Sequence, residues 1–174
     1  MKRTERIGFT LVEVLIVVTI IAILAAVLIQ NFGHASDDAR YTAAQDSLQN
    51  LRDALQLYRN QHQGRWPGVA GAFPDKVLAQ QLTLPTSVAG ERSGTADQGF
   101  GDPKFPLGPY VPSRIPPNPF NQSNKVQTVT TFPSSPPGGV NFEAPGWIYE
   151  ITSGRVRINW DGKTPDGHMY WDVW

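Results

Sequence analysis

Gly8-Phe9-Thr10-Leu11-Val12-Glu13-Val14-Leu15 opens an apolar run that continues to Ile29. From Phe9 onward nearly every residue is Val, Ile, Leu, Ala or Phe, and the exceptions are Thr10, Thr19 and the carboxylate Glu13. At about 1.5 Å per helical residue, such a run just covers a bilayer core of about 30 Å. A short basic segment precedes it, with Lys2, Arg3 and Arg6 set against Glu5. Basic residues beside an apolar span stay cytoplasmic, so Met1 is expected on the cytoplasmic side and the chain beyond Ile29 outside. Glu13 is costly in such a helix, about 2.5–3.5 kcal/mol near the centre of a bilayer. Lying only about a turn from the start, it could snorkel to the headgroups.

The segment Gly8-Phe9-Thr10-Leu11-Val12-Glu13 resembles the class III signal of type IV prepilins, in which a short basic leader and a cleavage-site Gly precede a Phe-Thr-Leu-x-Glu pattern and an apolar helix. The resemblance covers Arg6 to Ile29. A general secretory signal instead has its small-residue cleavage site after the apolar region. The resemblance implies a leader at 1–8, cleavage between Gly8 and Phe9, an N-methylated Phe9 amine and a membrane helix retained after processing. It also implies that Phe9 and Glu13 serve assembly of a filament.

At 174 residues there is room for one membrane helix and one modest domain. Loss of Met1–Gly8 removes three of the 15 basic and one of the 15 acidic residues, leaving 12 against 14. No basic patch suited to nucleic acid is visible, and none is expected to bind. The absence of Cys leaves packing or a bound ion to hold the exported part together. His34, His62 and His168 show no ligand spacing, and neither a phosphate loop nor a nucleophile–base pair is evident, so no enzyme is expected.

Beyond Ile29, Ala44, Leu48, Leu51, Leu55 and Tyr58 are spaced four, three, four and three, one stripe of an α-helix. Asp46, Gln49, Asp53, Gln56 and Asn60 occupy the other side, and Gly64 is expected at the C′ position with Pro67 shortly after. Pilin-like proteins often carry a proline where this chain has Gln30, so a continuous helix is expected, with Gly33 as its weak point. Asp37 and Asp38 read as a solvated face.

Phe73 to Leu82 reads as a short helix, and Thr86 to Gly101 as a surface loop. Eleven of the 15 Pro fall between Pro103 and Pro145. There, Gly108-Pro109-Tyr110 and Pro116-Pro117-Asn118-Pro119-Phe120 resemble the ordered loop that follows the helix in major pseudopilins of type II secretion. Phe105, Tyr110, Ile115 and Phe120 give that loop something to bury. Val126 to Phe132 has strand composition, and Trp147–Thr152 and Arg155–Trp160 alternate around Ser153-Gly154 as a hairpin. Trp147, Tyr149 and Ile151 should share a face with Val156, Ile158 and Trp160 against the helical stripe, leaving Glu150, Arg155 and Arg157 in water.

The expected fold class is α+β and pilin-like: a long N-terminal helix, its first half transmembrane, packed against a small antiparallel sheet with a long Pro-rich loop. The expected organisation is a leader at 1–8, a transmembrane and assembly segment at 9–35, and a periplasmic head at 36–174. Major pseudopilins carry a calcium-bearing loop near the C-terminus; the Asp161–Gly167 stretch resembles it but is shorter, and only Asp161 and Asp172 match it residue by residue. Asp-Gly pairs are also ordinary turn residues, so neither a metal site nor any cofactor is assigned. Asn121-Gln122-Ser123 matches a glycosylation sequon and is given no weight.

The resemblance implies a subunit of a type II secretion pseudopilus in the inner membrane. Its partners would be identical subunits, a prepilin peptidase, the inner-membrane assembly platform, minor pseudopilins and membrane lipid. The alternatives are a minor or major pilin of a type IV or competence pilus, and a membrane-tethered binding module that never polymerises. A tethered hydrolase would need a cleft joining His62 or His168 to a carboxylate.

Overall fold

A computed structural model describes residues 9–69, 74–95, 101–138 and 143–173, with the backbone alone for 27–35 and 173. The elements in chain order are helix α1 (Leu11–Gln61), helix α2 (Pro74–Thr83), strands β1 (Val126–Val129), β2 (Trp147–Glu150) and β3 (Arg155–Ile158), and a final turn of helix, α3 (Tyr170–Val173). The chain divides into two units, Met1–Ala39 and Arg40–Trp174.

In the first unit α1 carries apolar side chains on all sides, and those from Leu11 to Leu24 are exposed within the chain. A helix that is apolar all round normally finds lipid or protein around it. Among the described residues no helix is long and apolar enough to cross a membrane. The expected 9–35 span extends past Ala26, the last residue of the run whose side chain is described.

In the second unit the stripe Ala44, Leu48, Leu51, Leu55 and Tyr58 is buried as its spacing predicts, with Ala54 beside it. Its partners in one cluster are Trp147, Tyr149, Val156 and Ile158 from the sheet, and Val111 and Ile115 from the Pro-rich loop. The antiparallel register pairs Trp147 with Ile158 and Tyr149 with Val156, so these four share the face turned to the helix, as expected. At the end of α1, Gly64 N–H donates to the Arg59 carbonyl at 2.9 Å, a six-to-one closure that makes Gln63, at φ 58°, the C′ residue instead of Gly64.

The sheet is mixed where an antiparallel one was expected. Its order is β1-β2-β3, and β1 pairs with β2 in parallel, Val126 beside Trp147. The stretch between Val129 and Trp147 is long enough to bring the chain back to the starting end, which a parallel neighbour requires. Asp75, in the first turn of α2, holds β1 by accepting from the Thr128 N–H at 2.6 Å and from its hydroxyl.

Glu150 is a second correction. It is 5% exposed instead of solvated, because the sheet has a covered second face. All four residues of β2 are buried, Ile148 and Glu150 on the side away from the helix. On that side Arg157 lies over the rings of Phe132 and Trp171, at 4.5 and 5.3 Å.

The Pro-rich segment is ordered where it is described. Asn118, fully buried, donates to the carbonyls of Gly146 and Asn159 and accepts from Phe120 N–H. Trp147 Nε1–H donates to the Pro116 carbonyl at 2.8 Å, and Phe120 stacks on Trp160. The Gly108–Pro109 peptide is cis, and the next two amides both donate to the Leu82 carbonyl. The segment from Thr86 is less superficial than expected. Thr86 is fully buried and exchanges backbone hydrogen bonds with Leu107.

Candidate assembly site

The first turn of α1 holds the residues the sequence singles out. Phe9 is 82% exposed, and Glu13 is exposed. Gly8, the expected cleavage residue, lies outside the described residues. Thr10, which sequence reasoning passed over, is the N-cap: its hydroxyl and its carbonyl both accept from the Glu13 N–H, at 3.2 and 3.1 Å. The Thr10-Leu11-Val12-Glu13 spacing is that of a capping box, a signal present in the sequence all along. Among the described residues the Glu13 carboxylate itself has no partner. Its position in the first turn puts negative charge at the positive end of the helix dipole.

The other polar group in the apolar run is neutralised locally. Thr19 Oγ1–H donates back to the Ile16 carbonyl at 2.8 Å, so its hydroxyl needs no outside partner. Glu13 is therefore the one described side chain of Leu11–Ala26 with an unmet electrostatic demand.

In the head the two histidines that the hydrolase alternative would draw on lie in different settings. His62 is 1% exposed and lies flat on Tyr58, ring centroids 3.7 Å apart. Its Nδ1 sits 2.8 Å from the Tyr58 carbonyl and so carries the proton; its Nε2 then accepts from the Thr86 hydroxyl at 3.2 Å. Burial pushes the Tyr58 phenol up to about 12, with Tyr110 adding to the shift. His168 is exposed in the turn closed by the Lys163–Met169 bridge, where its N–H donates to the Thr164 hydroxyl. Asp161 lies at the start of that turn and Asp172 in α3, and among the described residues no cluster of potential metal ligands forms. The amide of Asn121 is occupied, donating to the Pro145 carbonyl and accepting from Ser123 N–H.

A capped apolar helix whose Glu13 has no partner among the described residues, and a head of helix on sheet, are consistent with a pilin-like α+β fold. The prokaryotic N-terminal methylation motif matches residues 5–29, which takes in Gly8, Phe9 and Glu13. The chain is 36% identical over 59 residues to the type II secretion system core protein G of Pseudomonas aeruginosa, a match covering 34% of this chain. The chain spans 42% of the length of that curated relative. No solved structure matches it.

Proposed function

We propose that the chain is a structural subunit of a type II secretion pseudopilus. A prepilin peptidase cleaves between Gly8 and Phe9, and the new Phe9 amine is N-methylated. The mature subunit sits in the inner membrane as a single pass, cytoplasmic at its N-terminus with its head in the periplasm, until it is drawn into a filament of identical subunits. The assembly platform and minor pseudopilins are its partners there. Its role is structural and not catalytic. Support comes from the methylation motif and from the likeness to core protein G.

The observation that carries the reading is Glu13, exposed and without a partner among the described residues, in the first turn of a segment, Leu11–Ala26, whose other side chains are apolar but for Thr19. After cleavage, Phe9 would carry a positive amine at the membrane edge, readily solvated. In a filament the amine of a newly added subunit, displaced along the axis, would meet the Glu13 of a neighbour. Removing one partner of a buried charge pair is costly, so the match forms in one register and marks correct insertion. The mass of the mature N-terminus tests the processing step. A chain starting at Phe9 with an added methyl group is expected, and an intact Met1 in assembled material contradicts the proposal.

A further inference from the structure

Three arginines surround a cleft of about 370 Å³ in the head, between α1 and the β2–β3 turn. Arg52 reaches it from α1, and Arg155 and Arg157 from β3, with Gln56, Ser153 and Asp172 completing the wall. The three cations are not equivalent. Arg155 is spent on Glu150, its Nη2 donating at 2.9 Å and its Nε at 3.3 Å to the same carboxylate oxygen. Arg157 rests over the rings of Phe132 and Trp171, which meet edge to face, and these contacts leave its N–H groups unused. Arg52 is half-buried, and among the described residues neither it nor Arg157 has a hydrogen-bond or ion-pair partner. Desolvation by burial lowers the pKa of Arg52 from its ordinary value, the mark of a cation short of water and short of an anion.

We infer that this cleft is a binding site for a carboxylate, received by the guanidinium pair of Arg52 and Arg157. Planar guanidinium forks match a carboxylate bidentately, and a cation already resting on aromatic rings loses less entropy on pairing. Charge selects the ligand class. Glu150 and Asp172 offset two of the three arginines, so the cleft carries one net positive charge. A monoanionic carboxylate neutralises it, whereas a phosphate dianion would overshoot. The carboxylate could be a free organic acid or a glutamate or aspartate side chain presented by a polypeptide, and the two sources are separable by experiment. The inference does not rest on the pseudopilus reading.

The test uses the full chain in detergent micelles with ¹⁵N-labelled arginine, titrated with sodium acetate and with a blocked Gly-Glu-Gly peptide. Sodium chloride at equal ionic strength and blocked Gly-Gln-Gly are the controls. Saturable shifts of the Arg52 and Arg157 Nε–H signals are expected with acetate and the Glu peptide, and none with the controls. Arg52→Gln and Arg157→Gln should each weaken binding by about tenfold, while Arg114→Gln, on another face, should change nothing. Arg157 also packs on two rings, so Arg52→Gln and Arg52→Lys, at unchanged melting temperature, decide the matter if the Arg157 variant unfolds. Tighter binding of the peptide than of acetate would assign the carboxylate to a polypeptide; equal binding would assign it to a free acid. No saturable response, the same response to chloride, or unaltered affinity in Arg52→Gln would overturn the inference.

Discussion

The Thr10 hydroxyl accepts a hydrogen bond from the Glu13 amide at 3.2 Å, which ties the start of the helix to the residue that carries its only described carboxylate before Asp37. The cap fixes where α1 begins and therefore how deep Glu13 lies from Phe9. Thr10→Ala removes the side-chain acceptor, leaving only the Thr10 carbonyl, and should cost the first turn about 0.5–2 kcal/mol. Amide exchange at Glu13 in micelles should quicken accordingly, and Thr10→Ser should restore protection. Unchanged exchange in Thr10→Ala would show that the cap does not hold the turn.

The head rests on the stripe that α1 lays against Trp147, Tyr149, Val156 and Ile158. Leu51→Ala or Leu55→Ala should each lower stability by roughly 2–5 kcal/mol, since both side chains are buried and leave cavities. Gln56→Ala, on the exposed side, should cost little. Urea melts of the full chain in detergent check the contrast; equal costs at Leu55 and Gln56 would mean that the helix presents a different face.

Glu150 makes the head acid-sensitive. The Ser153 hydroxyl first, then Arg155 and the Phe132 N–H, hold its carboxyl below the usual value of 4.5, and they outweigh the opposing effect of burial. A carboxylate whose folded pKa is depressed contributes stability that is fully present above its unfolded pKa. That contribution is lost as pH falls below about 4.5 and through the folded pKa. Stability of the parent should therefore fall more steeply below that pH than stability of Glu150→Gln. Parallel pH profiles for the two proteins would remove Glu150 from the account.

What the sequence made legible was periodic. The four-three-four-three stripe and the alternation of Trp147, Tyr149, Val156 and Ile158 each report one face of one element, and both faces are where the spacing put them. What it hid was nonlocal. Glu150 alternates correctly with Tyr149, yet alternation alone cannot show that Phe132, Trp171 and Arg157 cover the second face of the sheet. The parallel β1 depended on where a long proline-rich connection returns, and the burial of Thr86 on a partnership with His62, distant in the chain. In the apolar segment the methylation motif, which takes in Phe9 and Glu13, was readable from the family pattern. The Thr10 cap is encoded in its spacing to Glu13.

Glu13 bears the central claim. If it is an assembly device, its removal should spare every step before polymerisation. Glu13→Leu exchanges a carboxylate costing about 2.5–3.5 kcal/mol at a bilayer centre for an apolar side chain, so insertion should be at least as efficient as in the parent. Cleavage after Gly8 should also persist. The decisive measurement is the amount of filament sheared from cells making Glu13→Leu, compared with parent at equal levels of processed subunit. The account predicts processed, membrane-held protein and a loss of filaments. Parental filament yield from Glu13→Leu would contradict it.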